Sequence, residues 1–196
     1  MSPNILRQSD ITAAILSGGQ GRRLGGRDKG LAPLAGQALV LHVLAAIQSQ
    51  VGNTLVCTSR NMELYQHYAA VCPDGTCGFS GPLAAITSAL GACTTPWLLT
   101  VPVDCPRPPT DLVQRLRHAD APIAVAHDGV RRQPLFALYR KEFATRATSA
   151  LASDLPVWRW QNDLGAVEVD FSSEASCFVN LNTEEDFRRW ESTHAI

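Results

Sequence analysis

The 196-residue chain has almost no net charge: 17 Lys and Arg stand against 18 Asp and Glu, a formal balance of −1. A general nucleic-acid or membrane-surface binder needs a basic excess, so those classes are excluded, while a local anion site is not. Long apolar runs are missing too. The longest, residues 39–47, is interrupted by His42 and is too short to cross a bilayer. Six cysteines stand at 57, 72, 77, 93, 105 and 177, none of them in a C-x-x-C pair, which argues against a zinc–thiolate site. The N-terminus lacks a basic segment followed by an apolar one, so no disulfide framework is expected. The expectation is a soluble protein of a reducing, cytoplasmic compartment. Lysine is scarce: only Lys29 and Lys141 accompany 15 arginines.

With 45% apolar residues the composition fits neither disorder nor a collagen or coiled-coil chain. A chain of this length makes about one domain and buries roughly 70% of its unfolded surface. Neither repeats nor a long linker divide it. Residues 11–16 form a short apolar run ending near glycine and read as a buried strand. Apolar residues at 39, 40, 43, 44 and 47 give helical spacing over 39–51. Strands are expected at 54–58, 97–101, 122–126 and 167–171, and helices at 62–68, 83–90, 111–119 and 140–152. His127-Asp-Gly-Val is a turn signal before residues 134–139, which suggests a hairpin. Residues 178–182 read as a last strand, and Thr183 with Asp186 three residues on starts a terminal helix. Alternating strands and helices predict an α/β fold with a mainly parallel sheet, whose ligands gather at the carboxyl ends of strands.

The segment Ser17-Gly-Gly-Gln-Gly-Arg-Arg-Leu-Gly-Gly-Arg-Asp-Lys29 follows the first strand and holds five glycines, three arginines and one lysine. Glycine lets backbone amides approach an anion, and the cations add charge that phosphate oxygens accept. The pattern is that of a polyphosphate cradle rather than a surface loop of solvated arginines. It is not a Walker A loop, because Arg27-Asp28 follow Gly26 where Lys-Ser/Thr is required. A dinucleotide fingerprint starting at Gly19 would need glycine at position 24, which is Leu24.

Other polar residues stand at expected strand ends. Asp104, between Pro102 and Pro106, is either a Mg²⁺ ligand beside nucleotide phosphates or a turn aspartate. Asn180 and Asn182 alternate, so on a strand both would face one side and could bind a polar ligand, or they lead a turn. Asp74-Gly75 is a turn signal on its own. The five histidines show no metal spacing, with His42 expected on a helix face and His127 in a turn. Trp158 and Trp160 alternate, one for the core and one exposed. Arg131 and Arg132 could meet an anionic substrate, although such pairs are more often solvated.

The segment from Leu16 to Lys29 resembles the L-x-G-G-x-x-x-R-M-G-x-x-D-K signature of nucleoside-triphosphate-dependent nucleotidyltransferases. Within that group it is most similar to the MobA-like molybdenum cofactor guanylyltransferases. The resemblance spans nearly the whole chain: Gly81-Pro-Leu-Ala-Ala-Ile86 is similar to the family's G-P-L-A-G, Val101-Pro-Val-Asp-Cys-Pro106 to C-P-x-D-x-P, and Phe178-Val-Asn-Leu-Asn-Thr-Glu-Glu-Asp186 to F-x-N-x-N-T-P-E-[DE]. It implies one three-layer, Rossmann-like nucleotidyltransferase domain over residues 1–196, nucleotide-binding in its N-terminal part and pterin-binding in its C-terminal part. The implied reaction is transfer of GMP from GTP to the terminal phosphate of molybdopterin, with Mg²⁺ as cofactor.

Carried onto this chain, the resemblance makes Leu16, Ser17, Gly18, Gly19, Gly21, Lys29, Cys57, Asp74 and Asp104 nucleotide-binding. Arg23, Lys29 and Asp104 become catalytic, Asp104 the metal ligand, and Asn180 and Asn182 substrate-binding. Asp74 would read guanine, whose N1 and N2 are both donors. Family members also use an Asn after the second strand, and that position falls here at Cys57, with Ser59 and Asn61 close by, which weakens the case for guanine selectivity. Implied protein partners are molybdoenzymes or their chaperones, with no nucleic acid and no membrane. Two rivals stand beside this reading: a cytidylyl- or sugar-nucleotidyltransferase with the same loop, and a non-catalytic GTP- or cofactor-binding delivery protein.

Overall fold

Strand β1 (Ile11–Leu16) is buried along its entire length because a strand pairs with it on each side and a helical layer covers each face. The computed structural model describes residues 7–18, 26–75 and 81–194. In chain order β1 is followed by a small hairpin, β2 (Pro33–Leu34) and β3 (Gln37–Ala38), then α1 (Leu39–Ile47), β4 (Asn53–Cys57), α2 (Met62–Tyr65) and β5 (Ala70–Cys72). Next come α3 (Pro82–Ala92), β6 (Trp97–Pro102), α4 (Leu112–His118), β7 (Ile123–His127) and β8 (Arg132–Arg140). The chain closes with α5 (Ala144–Ala152), α6 (Val157–Asp163), β9 (Val167–Asp170) and α7 (Glu184–Thr193).

The seven-stranded sheet has the order β5-β4-β1-β6-β8-β7-β9. Its β1–β4, β1–β6, β4–β5 and β7–β9 pairs are parallel, while β8 runs antiparallel to β6 and β7. Successive side chains of a strand point to opposite faces, and the two apolar layers follow that period. Ile11, Ala13 and Ile15 of β1 face a cluster with Val40, Val43, Ile47, Leu112 and Leu116, whereas Ala14 and Leu16 face one with Leu83, Ile86, Leu90, Leu151 and Trp160. This is the three-layer α/β arrangement the sequence implies. None of the helices is long and apolar enough to cross a membrane among the described residues.

From β1 the chain proceeds outward through β4 to β5, then returns to place β6 on the other side of β1. That reversal is the topological switch point where open α/β sheets bind ligands. The strand ends there are level, Leu16 lying opposite both Cys57 and Pro102, and Cys57 opposite Cys72. Hydrogen bonds from Ser17 N–H to the Cys57 carbonyl (2.8 Å) and from Val103 N–H to the Leu16 carbonyl (3.1 Å) carry the order one residue beyond the ladders.

The strand expected at 178–182 does not form. A 3-10 segment, Ser172–Phe178, ends there, and the following extended run has one tie to the sheet side, from Leu181 N–H to the Asp104 carbonyl at 2.8 Å. Its apolar residues anchor instead of alternating on a ladder. Phe178 packs edge-on against Phe136 with ring centroids 4.8 Å apart, and Leu181 is buried with Leu34, Leu39 and Phe187. The helix expected over 39–51 stops at Ile47, and of the one expected from 140, Arg140 ends β8 and Lys141–Phe143 form a 3-10 turn. Trp160 is buried and Trp158 half-exposed as anticipated, both on α6.

Candidate active site

Three segments far apart in sequence meet at the switch point. Lys29 leaves the glycine-rich loop, Asp104 stands two residues beyond β6, and Asn180 and Asn182 precede α7. The Lys29 ammonium donates to Asp104 Oδ2 at 3.1 Å and to Asn182 Oδ1 at 2.8 Å. Beside them the Cys105 thiol donates to Asn180 Oδ1 at 2.9 Å. Burial pushes the Cys105 thiol well above its ordinary pKa, so it remains a protonated donor.

The two asparagines therefore converge without a strand. The tie from Leu181 to Asp104 sets their height. The start of α7 fixes the peptide of Asn182: Asp186 Oδ2 accepts from Asn182 N–H at 2.9 Å and from Thr183 N–H at 2.8 Å, and Thr183 Oγ1 accepts from Asp186 N–H. This is the capping box anticipated from Thr183 and Asp186. These bonds to backbone N–H groups, that of Asn182 foremost, hold the Asp186 carboxyl below its usual pKa.

An ammonium has three N–H donors, and two are committed here, so among the described residues Lys29 keeps one for an incoming oxygen. Each asparagine turns its amide oxygen toward a donor of the site, and among the described residues neither NH₂ group has a partner. The cluster thus presents unused N–H donors at a strand end, the chemistry an anion requires. Among the described residues Asp104 Oδ1 has as its hydrogen-bond neighbour only the Cys105 thiol, at 3.9 Å, which leaves that oxygen able to take a cation. One carboxylate fits Mg²⁺, which takes one or two and completes its shell with phosphate oxygens and water.

Asp74 stands against Gly18, at the end of β1. It is buried, and its carboxylate presses on Gly18 so closely that a Cβ there would lie 2.1 Å from Oδ2. Space rather than backbone conformation demands glycine. Gly18→Ala should displace the carboxylate and weaken nucleotide binding about ten-fold or more, the scale of an overpacked site. Calorimetric titration with GTP checks this, and unchanged affinity would remove Asp74 from the nucleotide contacts.

Cys57 is the last residue of β4. Its side chain is fully buried, and the neighbouring Cys72 thiol, together with burial, raises its pKa. Its carbonyl already accepts from Ser17. The Asp74 carboxylate lies close enough for its charge to act on the Cys57 thiol. Leu16 and Ser17 are buried at the strand end. Gly19, Gly21 and Arg23, and Cys77 with them, lie outside the described residues.

The two turn arginines separate. Arg132 is tied to Asn162 and, at 3.6 Å, to Glu168. Arg131 stays largely exposed, loosely paired with Asp128 at 3.9 Å, and its charge is among those acting on the Cys105 thiol. His42 bonds the Leu34 carbonyl and packs edge-on to Trp190, while His127 Nδ1 accepts from Gly129 N–H in the turn. Sequence reasoning missed Cys105, whose role needs Asn180 brought 75 residues back along the chain.

Residues 13–167 match the MobA-like NTP transferase domain. The chain belongs to that family. It is 38% identical over 193 residues to a Vibrio cholerae protein named molybdenum cofactor guanylyltransferase, covering 96% of this chain and 95% of the relative. A Shewanella loihica protein of the same name is 40% identical over 181 residues, with 89% and 92% covered. The fold of this MobA-like chain also matches the molybdopterin-guanine dinucleotide biosynthesis protein A of Archaeoglobus fulgidus, with a TM-score of 0.78 at 23% identity over 93% of this chain and 97% of that one. A CMP:2-keto-3-deoxy-manno-octonic acid synthetase shares the fold at a TM-score of 0.72 and 12% identity, with 95% and 99% covered.

Proposed function

We propose that this protein transfers GMP from GTP to the terminal phosphate of molybdopterin, giving molybdopterin guanine dinucleotide and pyrophosphate. The observation that carries the reading is the convergence of Lys29, Asp104 and the two asparagines at the switch point of a MobA-like chain. Relatives covering nine-tenths of it bear the guanylyltransferase name.

The acceptor phosphate is a monoester whose second pKa is about 6, so at neutral pH it is mostly a dianion. Its oxygen forms the new bond to the α-phosphorus of GTP as the α–β bridging bond breaks and pyrophosphate leaves with that electron pair. No proton has to be removed, and the barrier lies in bringing two polyanions together in line. Lys29 lowers it with its charge and free N–H, joined by Arg23 and the amides of residues 18–21. The Asn180 and Asn182 NH₂ groups orient the acceptor phosphate without adding charge. Asp74 accepts from guanine N1 and N2. Mg²⁺, held by Asp104, would neutralise triphosphate oxygens. In this reading the N-terminal part of a single domain serves the nucleotide and the C-terminal part the pterin.

The described cysteines are all free thiols, which suits the cytoplasm, and molybdoenzymes or their chaperones would receive the product. The test is pyrophosphate release from GTP, CTP, ATP and UTP with Mg²⁺ and molybdopterin. Turnover confined to GTP is expected. Preference for CTP would replace the substrate and keep the mechanism, and release from none would sink the assignment.

A further inference from the structure

From Ser17, at the end of β1, runs a chain of polar groups that the transfer chemistry does not use. Tyr65, on α2, is fully buried, and its hydroxyl donates to Asp28 Oδ1 at 2.5 Å. A phenol has one proton, so the Ser17 hydroxyl, 2.7 Å away, must be the donor in its bond to Tyr65. Burial raises the Tyr65 pKa, and the proton stays in place. Asp28 Oδ1 also accepts from Gly30 N–H at 3.1 Å, and Oδ2 from Asn61 Nδ2 at 2.9 Å. Arg60 adds a bond to the Gly26 carbonyl at 2.9 Å. The chain connects Ser17, where the glycine-rich segment begins, to Asp28, where it ends. Gly30 makes room for it, since a Cβ there would lie 2.3 Å from the Tyr65 hydroxyl and 2.6 Å from Ser17 Oγ.

Asp28 is the residue immediately before Lys29. Its carboxylate is gripped by three donors from three directions, so the backbone that carries the lysine has little freedom to rotate. The Lys29 carbonyl is held too, accepting from Ala32 N–H at 3.1 Å. We propose that Asp28 and Tyr65 are positioning residues, a polar staple that closes the two ends of the glycine-rich loop and aims the Lys29 ammonium between Asp104 and Asn182. The claim that this matters for transfer rests on the reading of Lys29 as a phosphate-binding group; the aiming itself does not.

Two readouts separate those parts. Because the chain has only two lysines, brief acylation with an amine-reactive acetyl ester, read by peptide mass spectrometry, gives the reactivity of Lys29 against exposed Lys141. In Tyr65→Phe the Lys29-to-Lys141 ratio should rise several-fold, and an unchanged ratio would overturn the staple. The second readout is a double-mutant cycle. Tyr65→Phe should lower kcat/KM for GTP about ten-fold, the scale of a hydrogen bond to a charged group, and much less when Lys29 is already alanine. An equal loss in both backgrounds would mean general destabilisation instead. Should Tyr65→Phe fold poorly, Asp28→Asn replaces it in both readouts, judged by the same two outcomes. If the wild-type protein transfers nothing from GTP, the proposed function falls while the acylation ratio still decides the positioning.

Discussion

Lys29→Ala is expected to lower the rate of pyrophosphate release by about 10²-fold or more, the range for loss of one oriented donor that stabilises developing charge. The lysine is the one cation among the described residues seen bonded to both Asp104 and an Asn182 amide, and among those residues its third N–H is uncommitted. Removing it does more than delete a donor. The Asp104 carboxylate would also lose the cation bonded to it at 3.1 Å, so less positive charge would remain where the reaction brings anions together. Fold stability should change far less. About a fifth of each side chain in the ion pair is exposed (21% and 18%), so water takes up part of what the pair loses. A melting curve and steady-state turnover, measured together, separate the two effects. Near-normal turnover in the alanine variant would end the assignment of Lys29. Lys29→Arg should recover little, because a planar guanidinium does not replace a compact ammonium held between a carboxylate and an amide.

The parts of this site that could be read from the sequence are those where local chemistry and local structure coincide. β1 is a six-residue apolar run ended by glycine, and β6 ends at proline before Asp104, so both strand ends and their polar continuations were legible. The Thr183–Asp186 cap was legible because it lies within four residues. Other parts depend on partners that only tertiary folding supplies. Asp28 and Tyr65 are 37 residues apart, and although Asp28 falls in the family signature, nothing in either segment points to the other. The run 178–182 looked like a strand because its apolar residues are spaced like one, yet they are anchors for two separate clusters. α6 hid behind the alternation of Trp158 and Trp160, while its buried residues, Val157, Trp160 and Gln161, follow the helical i, i+3, i+4 pattern. β5 and the β2–β3 hairpin are too short for periodicity to register. Cys57 was legible as a departure from the family pattern, but only the register placing it opposite Cys72 shows where its thiol goes.

Asp104→Asn should be as damaging as the loss of Lys29, for the opposite electrostatic reason. The substitution is nearly isosteric and leaves the backbone intact, so the Asp104 carbonyl continues to receive Leu181 N–H and the run carrying the asparagines stays in place. The amide oxygen can still accept from Lys29. What disappears is the negative charge, and with it the carboxylate suited to holding Mg²⁺. Transfer should fall about 10²-fold or more at ordinary Mg²⁺, with the melting temperature close to that of the parent. The two variants then part on metal titration. Raising Mg²⁺ should restore a portion of the Asp104→Asn activity, because a weakened site refills by mass action. It should restore none of the Lys29→Ala loss, because that charge comes from the chain. If Asp104→Asn instead unfolds the protein, or responds to Mg²⁺ as the parent does, the carboxylate is a structural partner of Lys29 and the metal is held elsewhere.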